Sequence, residues 1–201
     1  ASGATTLETF EGPRASWGVT AETSGSGTVD QSTDRAAAGS ASARAATSGG
    51  AGQAQLRASF SDPANAHVWN ERPGTWHWQH AKVYVPSATV AQLGSGEYLT
   101  IAGVWPSSPG NSGWFLRVRQ GGALSVVGSR DWDNAAIEFP VYGTLPLDRW
   151  ISLETGLHSQ AGPGIKRAFA FLVDGAFYGW YRQGRMQAET YDRAAAGILD
   201  T

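Results

Sequence analysis

Short runs in which apolar and polar residues alternate, broken every ~10 residues by glycine, proline or serine, constrain this chain more than any other feature. In Phe115-Leu116-Arg117-Val118-Arg119-Gln120, Leu116 and Val118 fall on one side and Arg117 and Arg119 on the other. Only a strand, whose side chains alternate between two faces, separates them so cleanly. Lys82-Val83-Tyr84-Val85, Tyr98-Leu99-Thr100-Ile101-Ala102, Leu124-Ser125-Val126-Val127, Ala136-Ile137-Glu138-Phe139 and Trp150-Ile151-Ser152-Leu153-Glu154-Thr155 continue the series. Asp174-Gly175, set between Ala168-Phe169-Ala170-Phe171-Leu172-Val173 and Ala176-Phe177-Tyr178, is the strongest hairpin signal, and Gly121-Gly122 is a second. The pattern predicts strands over 97–104, 113–120, 123–128, 150–158, 167–173 and 176–182, hardly any helix, and an all-β antiparallel sandwich of two packed sheets. At 201 residues the chain fits one domain over 1–201, with 1–6 as a flexible or strand-exchanging arm.

The first third has a different texture. Ala36-Ala37-Ala38 and the run Ala41 to Ala46 invite a helix on propensity alone. Yet Ser40-Ala41-Ser42-Ala43-Arg44-Ala45 alternates between glycines, which predicts a strand of small residues against a crowded interior. Gln53-Ala54-Gln55-Leu56-Arg57-Ala58-Ser59-Phe60 also alternates and is the expected partner of that strand.

Composition removes several classes of function. Fifteen Lys+Arg against seventeen Asp+Glu leaves a net charge of -2 and no electrostatic footprint for nucleic acid. With no cysteine there are no disulfides, no thiolate zinc sites and no thiol catalysis. No apolar run approaches the ~18 residues of a membrane-spanning helix. What remains is low charge (16%), 26 glycines, nine tryptophans and only two lysines, Lys82 and Lys166. That balance, with the opening Ala1-Ser2-Gly3-Ala4, suits a processed protein that works outside the cell or at its surface.

Two sets of motifs then carry a resemblance. Thr9-Phe10-Glu11-Gly12, Trp17-Gly18 and the stretch Asp30-Gln31-Ser32-Thr33-Asp34-Arg35-Ala36-Ala37-Ala38-Gly39-Ser40-Ala41-Ser42 resemble the start of concanavalin A-like and carbohydrate-binding jelly-roll domains. Pro146-Leu147-Asp148-Arg149-Trp150, followed by Phe171-Leu172-Val173-Asp174-Gly175, is similar to the laminin-G-like pattern. The resemblance implies a jelly-roll fold and a carbohydrate partner. It also implies a structural calcium near the opening strand, for which Glu11, Asp30 and Asp34 supply the hard oxygen ligands. Those domains usually close with an acidic strand that Ala196-Gly197-Ile198-Leu199-Asp200-Thr201 does not match.

Three functions fit these residues. The first is non-catalytic recognition of a polysaccharide or cell-surface glycan. Sugar rings present C–H faces to indoles, and Trp76, Trp78, Trp105 and Trp132 lie beside loop residues, with Asn70, Arg72, Asn111, Arg130 and Asp131 to bind hydroxyls. Trp76-His77-Trp78 places both indoles on one face if extended, as a platform or a core pair, whereas Trp17, Trp114 and Trp150 are expected in the core. The second is a structural subunit: an unclosed edge would accept residues 1–10 of a neighbour by strand exchange and propagate a homo-oligomer or filament. The third is an enzyme. Glycoside hydrolysis needs two carboxylates on one strand face, and the pairs Glu8/Glu11 and Asp131/Asp133 do not form such a string. A polysaccharide lyase needs a Tyr or His base with Arg, Asn or Gln to neutralise a uronate, and His80, Tyr84, Asn111, Arg117 and Arg119 are the residues of those types. His77 and His80 are three apart, a spacing that converges on a helix and not on a strand, so no zinc site is expected.

Overall fold

The computed structural model describes residues 9–48, 52–59, 76–106, 113–129, 136–159, 166–185 and 191–200. Its strands are β1 (Thr20–Gly25), β2 (Thr28–Ser32), β3 (Ser42–Ala46), β4 (Gly52–Ser59), β5 (Trp76–Tyr84), β6 (Tyr98–Pro106) and β7 (Trp114–Arg119). They continue as β8 (Ala123–Ser129), β9 (Ala136–Thr144), β10 (Trp150–Ser159), β11 (Lys166–Val173), β12 (Ala176–Arg185) and β13 (Tyr191–Asp200). A seven-stranded sheet has the order β1-β4-β13-β6-β7-β8-β9, a four-stranded sheet the order β12-β11-β10-β5, and β2 and β3 form a separate hairpin. Every pairing is antiparallel. This is a jelly-roll β-sandwich.

The alternation decides which face each strand buries. Trp114, Leu116 and Val118 of β7 and Leu124 and Val126 of β8 point inward. They meet Ile151, Leu153 and Leu157 of β10 and Phe169, Phe171 and Val173 of β11 in one apolar cluster. Each fully buried side chain of this kind contributes ~1.5–3 kcal/mol over its exposed state. The hairpin signals hold as well. Asp174 and Gly175 take φ values of 51° and 76°, the pair of positive angles that a two-residue turn between twisted strands requires. Gly121 and Gly122, also at positive φ, carry β7 into β8. A short helix, α1 (Ser87–Val90), which no periodicity announced, tucks Val90 into the core.

Two expectations fail. The small-residue strand β3 pairs with β2, from Thr28↔Ala46 to Ser32↔Ser42, while β4 lies between β1 and β13. Apart from the exposed Arg44, Ser42 to Ala46 holds only serine and alanine to reveal its neighbour, so alternation identified the strand without its partner. Nor do Trp17 and Trp150 enter the core. Trp17 is half-buried in the N-terminal segment, edge-on to Phe10 at 5.0 Å and donating its Nε1–H to the Gly12 carbonyl at 3.1 Å. Trp150 is half-buried on the outer face of β10 beside Tyr84 at 5.7 Å, because Ile151, Leu153 and Leu157 hold the inward positions of that strand.

Candidate functional site

The outer face of the seven-stranded sheet is polar and yet partly shut off from water. Gln55, Thr100 and Ser125 all point outward from β4, β6 and β8, and all three are buried. Buried polar groups on a solvent-side sheet face set it apart from an ordinary surface. Register shows what lies on it. Across the middle of the sheet run Arg57, Ala195, Gly103 and Phe115, each opposite the next. One step along, Gly197 lies beside Gln55, and Thr100 beside Arg117. At the middle of this strip the central strands β13 and β6 thus contribute glycine, alanine and threonine, while Tyr98 and Trp105, also of β6, and the residues of the flanking strands are larger.

Two charge clusters frame this strip. On one side Arg57 pairs with Glu22 at 2.7 Å, and Gln55 donates to the same carboxylate at 2.9 Å. On the other, Glu138 meets Arg119 at 2.5 Å and Arg117 at 3.5 Å and accepts the Ser125 hydroxyl. Burial alone would raise the Glu138 carboxyl. Hydrogen bonds from Arg119 and Ser125, with the charges of Arg119 and Arg117, outweigh it and hold the group below its ordinary value. The Arg117 guanidinium also lies 3.7 Å from the centre of the Tyr98 ring. Arg57 Nε, Arg117 Nε and Thr100 Oγ1 are shielded and make no hydrogen bond among the described residues. Two arginine N–H donors on this face are therefore not used by its ion pairs among the described residues.

The opposite outer face, on the four-stranded sheet, is aromatic. Trp76, Trp78, His80, Lys82 and Tyr84 share one side of β5, in register with His158, Gly156, Glu154, Ser152 and Trp150 of β10. Trp76 and Trp78 are 41% and 45% exposed, with ring centres 5.3 Å apart and planes 19° from parallel. His80 is hydrogen-bonded to the Ser152 hydroxyl.

The residues singled out from sequence scatter over this frame. Trp76 and Trp78 form the exposed pair that their alternation allowed. Trp105 is the next-to-last residue of β6, half-buried on the polar face and 5.9 Å from Phe115. Asn70, Arg72, Asn111, Arg130, Asp131 and Trp132 lie outside the described residues, as do Glu8 and residues 1–6. Of the lyase-type residues, Arg117 and Arg119 share the polar face, but His80 and Tyr84 sit on the other sheet. The sequence reading missed Glu22, Gln55 and Arg57. Their outward alternation was visible, but its alignment with Arg117 and Glu138 is a long-range register.

Of the three residues considered for calcium, Glu11 is engaged in hydrogen bonds. Glu11 accepts the Ser40 N–H at 2.9 Å, the Ser40 hydroxyl at 2.7 Å and the Ala41 N–H at 3.1 Å. Those bonds, the Ser40 hydroxyl first, lower its pKa and fasten the N-terminal segment to the chain leading into β3. Asp30 and Asp34 line a shallow hollow over the β2–β3 hairpin with Arg44 and Gln31. Among the described residues no three His, Cys, Asp or Glu side chains gather as a metal site.

No protein-family model matches the chain, and no curated protein matches it in sequence. Among solved structures it is similar to the crystal structure of an endo-β-1,4-glucuronan lyase from the fungus Trichoderma reesei. The TM-score is 0.65 and the identity 12%, over 89% of this chain and 78% of that one. At that identity the likeness is one of fold, and it agrees with the jelly-roll sandwich derived from the strands.

Proposed function

We propose that the outer face of the seven-stranded sheet binds a uronic-acid polysaccharide and cleaves it by β-elimination. The observation that carries this reading is a set of buried polar side chains on an outward sheet face, with Arg57 Nε and Arg117 Nε shielded and without a hydrogen bond among the described residues. Elimination needs a cation on the uronate carboxylate, so that the C5 proton becomes acidic. A base then removes that proton, its electrons form the C4–C5 double bond, and the C4–O bond breaks as the leaving oxygen takes up a proton. Arg117 is assigned the carboxylate and Tyr98, lying against its guanidinium, the proton transfer. Arg57 and Gln55 hold the neighbouring sugar from across the strip. The fold shared with a glucuronan lyase supports the same reading.

Among the described side chains of this face, the carboxylates favour elimination over hydrolysis. Glu22 and Glu138 sit on the two edge strands, β1 and β9, six strand spacings of ~4.8 Å apart. A hydrolase pair needs ~5–9.5 Å. Incubation with polyglucuronate should produce the ultraviolet absorbance of a conjugated double bond. Arg117→Met should lower the rate ~100-fold or more, and Tyr98→Phe by a similar factor. Product without that absorbance would refute the mechanism, and undiminished rates in both variants would refute the site.

A further inference from the structure

The four-stranded sheet carries a feature that this cleavage reading does not use. An ideal Cβ on Gly156 would lie 2.6 Å from Cζ3 of Trp78 and 2.8 Å from both Cε3 and Cη2. Three adjacent ring atoms at nearly equal distance put the glycine beneath the face of the six-membered ring. The indole therefore lies flat on the backbone of β10. The same cross-strand device occurs inside the sandwich. A Cβ on Gly128 would lie 2.8, 2.9 and 3.0 Å from Cζ3, Cε3 and Cη2 of Trp114. There the indole is stacked on Phe169 of the facing sheet, at 5.7 Å and 6° from parallel. Trp114 is 1% exposed and Trp78 45%.

We infer that the outer face of β5 and β10 docks a neutral polysaccharide chain, with its pyranose rings stacked on Trp78 and Trp76. A flat pyranose with equatorial hydroxyls offers an axial C–H face of the kind an indole takes, the position that Phe169 fills over Trp114. His158, 5.2 Å from Trp76, with Glu154 and the His80–Ser152 pair, supplies hydrogen bonds at the rim. Charge favours the neutral polymer at the tryptophan end: the β5–β10 rows carry Lys82 against Glu154 and no arginine of their own, and Arg35 lies over Tyr84, at the far end of β5 from Trp76 and Trp78. Size argues against a protein partner. At ~250 Å² per indole, the open area of the two is ~200 Å², whereas a stable protein interface takes ~800 Å² from each side.

Affinity electrophoresis in gels containing hydroxyethylcellulose, a soluble neutral β-1,4-glucan, tests this independently of cleavage. The intact protein should be retarded, and the double variant Trp76→Ala, Trp78→Ala should lose at least ~10-fold in affinity while cleaving polyglucuronate as before. No retardation of the intact protein, or equal retardation of the double variant, overturns the proposal. Should the double variant fail to fold, iodide quenching of the intact protein decides. The glucan must shield tryptophan fluorescence, and unchanged quenching overturns the proposal equally.

Discussion

Trp114 over Gly128 and Trp78 over Gly156 are one device in two solvents. In both, an indole covers a bare glycine on the neighbouring strand. Inside, Phe169 covers the second face of the ring and the arrangement is a packing unit. Outside, Trp76 stacks on the ring at 5.3 Å and 19° from parallel, and yet 45% of Trp78 still meets water. The comparison separates what a tryptophan contributes to folding from what it offers to a ligand. Neither exposure nor residue type does so alone, since nine tryptophans occur in the chain.

The largest expected effect comes from removing the inner ring. Trp114→Ala should cost ~3–5 kcal/mol, because Phe169, Leu116 and Gly128 cannot collapse into the space; chemical denaturation measures it. A sharper break tests the glycines. Gly128→Ala drives a methyl into a ring that Phe169 blocks from behind, and should destabilise by ~1–3 kcal/mol. Gly156→Ala makes the same steric demand, but Trp78 can swing into water, so stability should change by no more than ~0.5 kcal/mol while affinity for the neutral glucan falls. Equal costs at the two glycines would erase the distinction between the faces.

The smallest effect concerns acid. The Glu138 carboxyl is held below its ordinary value, so on lowering the pH the unfolded chain takes up the proton first. Its contribution to stability is complete above the ordinary value of 4.5 and is lost as pH falls through the depressed one. Glu138→Gln should therefore lower the transition temperature at neutral pH and flatten its decline at acid pH. An unchanged acid limb would mean that the arginine cluster does not hold β7, β8 and β9 together.

Local pattern made most of the sandwich legible. Leu116 and Val118 against Arg117 and Arg119, and the Asp174-Gly175 turn, are decided within a few residues by the pleat and by positive φ. What needed long-range register was not legible. The partner of β3 was misassigned because alanines pack against almost anything. Trp150 opens an alternating run and on that ground is expected inside, whereas Ile151 and Leu153 occupy the inward positions. The polar face joins Glu22, Gln55, Arg57, Thr100, Arg117 and Glu138 from five strands, residues spread along the chain from 22 to 138. Trp76 and Trp78 were legible as a pair, since they are two apart, but their choice of face depended on the pairing of β5 with β10.

The central claim is that the seven-stranded sheet's outer face performs β-elimination on a polyuronate. The most direct measurement is mass spectrometry of the products of polyglucuronate digestion by the intact protein. The account predicts oligosaccharides whose new non-reducing end is lighter by one water than a hydrolysis product, formed at a rate that collapses in Arg117→Met. Fully hydrated ends, or polymer left intact by the folded protein, would contradict it.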